Sequence, residues 1–234
     1  MPSLPHRVLL LPGLDGSGRL SQRFARAWNA PLDLVAYRDD PTADLDAYAE
    51  QVEEIAAGPS VDLIAESFSG PVALRIIERA RIQVRRLVLV ASFAAVPVAS
   101  PLALAHVLPR ALLTSLPRPR WAVAWLLLGG VGDAALIDEA IDVVRALPPS
   151  VMASRLALLA GLRAQQLTGG PPILALHAMR DRLVPASATA VMQRSFPQVS
   201  VVPINGPHLL LQAEPAACAD AIRSYLGDQA LPGR

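Results

Sequence analysis

The sequence predicts an α/β chain built on a mainly parallel sheet of about six strands, with a helical insertion between the fourth and fifth of them. Three observations lead there. Short continuous apolar runs, of the kind buried on both faces of a sheet, alternate with stretches of helical period, which is the βαβ pattern of parallel strands. One of those runs, Val61-Asp62-Leu63-Ile64, ends in a turn of small residues around Ser67 and passes directly into a helix. The alternation then lapses from Pro97 to about Gly170, where apolar residues recur with no convincing strand among them.

The first strand is Arg7-Val8-Leu9-Leu10-Leu11, and it stops at Pro12-Gly13-Leu14-Asp15-Gly16-Ser17-Gly18. Three glycines so close together demand a tight, exposed turn. Such a loop can cradle a phosphate, but the dinucleotide spacing and the Gly-Lys-Ser/Thr ending of a P-loop are both missing. The other reading is a loop that presents a backbone N–H, that of Leu14, to a developing oxyanion. Ser21 to Trp28 read as a short helix and Leu32 to Tyr37 as the second strand, broken by Arg38-Asp39-Asp40-Pro41. Asp44 to Ala57 form an amphipathic helix with Leu45, Tyr48, Val52 and Ile55 on one side, closed by Gly58-Pro59.

The third strand leads to the turn Ala65-Glu66-Ser67-Phe68-Ser69-Gly70, and Ala73, Leu74, Ile76 and Ile77 form the inward stripe of the helix that follows. Small residues on either side of Ser67 suit a turn that holds its central residue in a strained conformation close to neighbouring backbone. A serine followed by a small residue is also an ordinary helix cap, and Ser69 is a rival nucleophile two positions on. Val84 to Ala91 give the fourth strand. Within the insertion, Pro109, Pro117-Arg118-Pro119, Gly129-Gly130-Val131-Gly132 and Pro148-Pro149 separate three or four short helices. These are unusually apolar, from Leu102 and Leu104 through Trp121, Trp125 and Leu128, and core or cap packing is expected for most of them. An apolar lid also favours an acyl chain. A weak membrane-surface contact, with Arg110, Arg118 and Arg120 as its basic face, and a homodimer interface both stay open for the same segment.

Pro171 to Ala178 restore the sheet, and the polar loop Met179-Arg180-Asp181-Arg182 follows, with a helix from near Pro185. Asp181 suits either a helix cap or a carboxylate that orients a histidine. The last strand, Val199 to Ile204, turns at Asn205-Gly206-Pro207-His208 into a helix interrupted near Pro215. His208 therefore stands at a strand end, where a side chain titrating near neutrality can act as a general base. His6, His106 and His177 sit before a strand, inside the insertion and within a strand, and read as structural or surface residues.

Composition narrows the function classes. At 234 residues the chain suits one domain with a modest insertion, and although 53% of it is hydrophobic, no stretch approaches the roughly 18 apolar residues of a membrane span. Its 21 basic residues are all arginine and its formal net charge is +1, which gives no electrostatic case for nucleic acid. Met1-Pro2-Ser3-Leu4-Pro5 runs straight into a strand with no basic and apolar leader, so a cytoplasmic location is expected. Cys218 is the only cysteine and reads as small apolar filling; no Cys/His metal pattern is present, and no cofactor or metal is expected.

Three strand-end loops thus offer serine, aspartate and histidine in that chain order. With its opening Leu10-Leu11-Pro12-Gly13-Leu14-Asp15-Gly16 and its serine turn, the sequence resembles the α/β-hydrolase superfamily, in the lipase- and esterase-like branch. Pro12-Gly13-Leu14 is similar to that family's His-Gly-x segment with proline for histidine. Ala65-Glu66-Ser67-Phe68-Ser69 is similar to its Gly-x-Ser-x-Gly with both glycines replaced. The resemblance implies a three-layer α/β-hydrolase fold, with residues 1–96 and 171–234 as core and 97–170 as a helical cap and return helix. It also implies Ser67 as nucleophile, Asp181 as acid, His208 as base, and the backbone N–H groups of Leu14 and Phe68 as oxyanion donors. The expected substrate is a small hydrophobic ester. Thioester cleavage, acyl transfer and a non-catalytic binder of hydrophobic ligands on the same fold remain alternatives.

Overall fold

A computed structural model of the chain describes residues 7–56, 58, 60–95, 119–130, 133–162 and 169–227. Six strands form one sheet: β1 (Arg7–Leu11), β2 (Asp33–Leu34), β3 (Ser60–Glu66), β4 (Gln83–Val90), β5 (Ile173–Ala178) and β6 (Val199–Ile204). Their spatial order is β2-β1-β3-β4-β5-β6, and each neighbouring pair is parallel. The register sets Leu9 beside Leu63, Leu63 beside Leu87 and Leu87 beside Ile173. A single apolar row therefore crosses the centre of the sheet.

Alternation along these strands fills two cores. Leu9, Leu11, Leu63, Ala65, Leu87 and Leu89 face one side, against α2 (Leu45–Ala56), α3 (Ser69–Arg79) and α7 (Ala186–Ser195). Val8, Leu10, Ile64, Val88, Val90 and Leu174 face the other, against Phe24 and Trp28 of α1 (Gln22–Trp28) and Cys218, Ile222 and Leu226 of α8 (Pro215–Gly227). The result is the three-layer fold expected, with Cys218 serving as buried filling. At roughly 25 cal/mol per Å² of apolar surface removed from water, these two interfaces hold the sheet between its helices.

Two local expectations need correction. The second strand spans only Asp33–Leu34: Val35 N–H still donates to the Leu10 carbonyl of β1 at 3.0 Å, but by Tyr37 the backbone has left the ladder, its N–H donating to the Gly16 carbonyl at 2.8 Å and tying this edge to the glycine loop after β1. In α2 the buried stripe runs through Tyr48, Ala49, Val52 and Ala56, and Ile55 lies at its margin with 38% of its surface exposed. Asp44 caps this helix by accepting the Ala47 N–H at 2.9 Å.

The described part of the insertion comprises α4 (Arg120–Leu128), α5 (Ala134–Ala146) and α6 (Pro149–Ala160), divided at the glycine and proline breaks that the sequence marks. Gly129 ends α4 in the left-handed region at φ 63°, and the Asp133 carboxylate caps α5 through the Leu136 N–H. Val123, Leu128, Leu136, Ala140 and Ile141 pack with Leu20 and Leu209 of the core. Trp121 and Trp125 do not join them: they are 73% and 50% exposed on the outer face of α4, with the Arg182 guanidinium 4.3 Å from the Trp125 ring centre. No single helix among the described residues is long and apolar enough to cross a membrane. Residues 96–118, including His106, Pro109 and Arg110, lie outside the described set, as does His6.

Candidate active site

The serine turn follows from how β3, β4 and α3 meet. Ser67 stands at φ 48°, a left-handed conformation that costs a non-glycine residue roughly 1–3 kcal/mol and persists only where its surroundings enforce it. They do so through three bonds. Ser67 N–H donates to the Val90 carbonyl at 2.9 Å, and the Ser67 carbonyl accepts the Gly70 N–H at 3.0 Å and the Ser92 hydroxyl at 2.8 Å. Gly70 lets α3 come this close to β4, since a Cβ there would sit 1.9 Å from Ser92 Oγ. Ser69, where the family pattern has glycine, is wholly buried; its hydroxyl donates to the Pro12 carbonyl and accepts from Tyr37, with 2.6 Å between the two oxygens. It ties the serine turn to the glycine loop and is held away from the cavity beside Ser67.

The structure brings Ser67, His208 and Asp181 together. Ser67 Oγ lies 2.9 Å from His208 Nε2, and His208 Nδ1 lies 2.7 Å from Asp181 Oδ2. An ionised carboxylate only accepts, so the imidazole proton sits on Nδ1 and Nε2 is left to accept from the serine hydroxyl. The other Asp181 oxygen accepts the N–H groups of Leu183 at 2.7 Å and Val184 at 2.8 Å, which fixes the carboxylate plane. Asp181 is not the cap of the next helix, whose N-cap is Pro185. The β5 and β6 loops are laced together by Met179 N–H to the Ile204 carbonyl and Arg180 N–H to the Gly206 carbonyl, both 2.9 Å. Leu209 N–H donates to the Leu127 carbonyl at 2.9 Å, so the insertion contacts the residue next to His208. His177 instead lies in β5 with Nδ1 3.1 Å from the Thr189 hydroxyl.

A cavity of about 230 Å³ opens above these groups. Ser67, His208 and Leu14 line it, and the rest of its lining is mostly apolar, with Val123 and Leu126 of α4 and Met152 of α6 beside the carboxyl groups of Asp15 and Glu66. Leu14 borders the cavity and Phe68 follows the serine, and neither N–H donates a hydrogen bond among the described residues. Among the described residues no group of three or more His, Cys, Asp or Glu side chains is placed to hold a metal ion.

A family model described as "Alpha/beta hydrolase family" matches residues 3–221. The chain belongs to the alpha/beta hydrolase family. Solved structures agree in fold. An esterase from Exiguobacterium antarcticum superposes with a TM-score of 0.81 at 14% identity, covering 97% of this chain and 94% of that one. A thermophilic esterase from Thermogutta terrifontis gives 0.79 at 18%, covering 96% and 90%. A bromoperoxidase from Bacillus anthracis gives 0.75 at 15%, covering 97% and 93%. At such identities the likeness is one of fold. No curated protein sequence matches the chain.

Electrostatics in this family member single out two groups. Burial lowers the pKa of His208, but the charge and hydrogen bond of Asp181, with a smaller contribution from Glu66, outweigh it and raise the value above the ordinary 6.5. Glu66, next to the serine and also on the cavity wall, is 3% exposed, and burial pushes its carboxyl from 4.5 up to about 7. The Gln212 amide, 3.3 Å from Oε2, and the charge of His208 oppose the rise, while Asp15 adds to it; Oε1 has no hydrogen-bond partner among the described residues. The folded chain therefore holds a proton here that the unfolded chain releases above pH 4.5. Stability from this group is complete below 4.5 and is lost as pH rises through about 7, a penalty on the order of 3 kcal/mol when fully developed. Glu66→Gln is expected to raise the unfolding free energy at pH 8 by about 1–3 kcal/mol and to match the wild type near pH 4.5, as read by chemical denaturation. A difference independent of pH would contradict this.

Sequence reasoning did not single out Glu66 or Arg155. A charged residue ending an apolar strand, and a lone arginine amid Val151-Met152-Ala153 and Leu156-Ala157-Leu158-Leu159, were the signals available.

Proposed function

We propose that this chain is a serine-dependent carboxylic ester hydrolase that acts on hydrophobic acyl substrates. The carrying observation is the chain of contacts from Ser67 Oγ through the His208 ring to Asp181, at 2.9 and 2.7 Å, opening into an apolar cavity. Ser67 Oγ attacks the acyl carbonyl carbon while His208 Nε2 takes its proton, and Asp181 stabilises the imidazolium so formed. The tetrahedral oxyanion accepts the N–H groups of Leu14 and Phe68, donors fixed in place before the charge develops. Collapse breaks the ester C–O bond, and His208 returns the proton to the departing oxygen. Water then adds to the acyl carbon, gives its proton to His208, and a second collapse releases the carboxylic acid and restores Ser67.

The described part of the insertion covers the serine, and the apolar side chains it turns to the cavity, among them Val123, Leu126 and Met152, favour a hydrophobic acyl group. The esterases from Exiguobacterium antarcticum and Thermogutta terrifontis, named as such, support the reaction class by analogy of fold. The testing experiment is a panel of p-nitrophenyl esters and matched thioesters of graded acyl length. Turnover of the esters, with an acyl-enzyme seen by quenched-flow mass spectrometry, is expected. Turnover confined to the thioesters would replace the substrate class, and none at all in the folded protein would remove the reading.

A further inference from the structure

Arg155 projects from the middle of α6 into the core beneath the glycine loop, and its side chain is fully buried. Nη1 donates to the carbonyls of Leu14 at 2.9 Å and Asp15 at 2.8 Å; Nε donates to the Tyr48 hydroxyl at 3.0 Å and Nη2 to the Arg38 carbonyl at 3.3 Å. The guanidinium carbon stands 5.4, 5.9 and 6.0 Å from the ring centres of Tyr48, Phe68 and Tyr37. Its one carboxylate neighbour among the described residues, Asp39 at 3.6 Å, is 55% exposed at its side chain, so carbonyl dipoles and ring faces supply most of the compensation. Gly16 makes the approach feasible: at φ 70° it turns the loop, and a Cβ there would sit 2.4 Å from Nη1. Burying a cation this way is a poor route to stability, since an apolar side chain of similar volume usually serves as well or better. What the guanidinium does, and an apolar side chain cannot, is touch both oxyanion residues at once, the carbonyl of Leu14 and the ring of Phe68.

We infer that Arg155 is a positioning residue, which orients the Leu14 and Phe68 donors and makes the seating of the insertion on the core a condition for reaction. The inference rests on the esterase reading above. Each oxyanion donor is worth about 10²–10³ in kcat in acyl-transfer enzymes, and misplacement by about 1 Å costs on the order of 10². Arg155→Met is therefore expected to lower kcat about 10²-fold with KM within about threefold of wild type. Affinity for a trifluoromethyl ketone, which adds Ser67 Oγ to its carbonyl carbon, passes the serine proton to His208 and leaves an oxyanion, should fall by a similar factor. Affinity for the matching trifluoromethyl alcohol, which forms no oxyanion, should not change. Arg155→Lys keeps the charge, but its single nitrogen with three N–H groups cannot serve the Leu14, Asp15 and Arg38 carbonyls and the Tyr48 hydroxyl together, so it should recover little.

Tyr48→Phe removes only the acceptor of Nε. It provides the same comparison, at about three- to tenfold, should neither Arg155 variant give a cooperative unfolding transition. Equal loss of ketone and alcohol binding, or a rise in KM at constant kcat, in the folded variants overturns the positioning role while leaving the esterase reading in place. A wild type that neither turns over esters nor binds the ketone overturns both.

Discussion

Replacing Ser67 with alanine is expected to lower kcat for ester hydrolysis by at least about 10⁴-fold and to leave the folded state intact. In the proposed mechanism the hydroxyl is the atom that forms the acyl-enzyme, and the neighbouring Ser69 Oγ is not placed to replace it, since it is buried between the Pro12 carbonyl and Tyr37. Stability should hardly move, because alanine meets the same strain at φ 48° and the bonds that enforce the turn come from the Ser67 backbone, not its side chain. Ser67→Gly should be as inactive and about 1 kcal/mol more stable, since glycine adopts this conformation without the steric penalty. Ser69→Ala should show the reverse pattern. It leaves the Pro12 carbonyl and the Tyr37 hydroxyl short of a partner, at a cost of about 1–3 kcal/mol, with a smaller loss of activity. Steady-state kinetics beside thermal unfolding separates the three variants; a Ser67→Ala protein with wild-type turnover would end the assignment.

Asp181→Asn is expected to lower kcat by about 10³–10⁴-fold and to shift the pH profile in a defined direction. The carboxylate holds the proton on His208 Nδ1 at 2.7 Å, and an amide can present either a donor or an acceptor to that nitrogen, which frees the ring to take the wrong tautomer. Its charge also contributes to the raised pKa of His208. Because the base must be neutral to accept from Ser67, the acid limb of kcat/KM in the wild type should lie above pH 6.5. The variant should move that limb to lower pH as its plateau falls. The same pair bears on stability. His208 binds its proton more tightly in the folded chain, so the associated stabilisation is complete below pH 6.5 and is lost as pH rises through the higher folded value. An unmoved acid limb in Asp181→Asn would mean that another group sets it.

The parts of this architecture that were legible in the sequence are those written locally. The serine turn occupies a handful of consecutive residues whose sizes fit a strained bend, and the left-handed Ser67 is what that spacing implies. The strands were readable because burial on both faces leaves continuous apolar runs, and three strand ends at one edge were enough to nominate Asp181 and His208. Features decided by distant partners were not readable. The second strand is short, and by Tyr37 the backbone has left the ladder to bond to Gly16, a contact across 21 positions in the sequence that no local pattern records. Trp121 and Trp125 look like core residues by type, yet α4 turns Val123 and Leu128 inward and leaves them outside. Arg155 and Glu66 gain their roles from what surrounds them, in one case two loop carbonyls and three rings, in the other a cavity wall that withholds solvent.

The most direct test of the central claim, that Ser67 is an activated nucleophile, is intact-mass analysis after exposure to a small fluorophosphonate. The wild type should gain the mass of one phosphonyl group with loss of fluoride, and Ser67→Ala should gain none. An unlabelled wild type that is demonstrably folded, or a label that persists in Ser67→Ala, would contradict it.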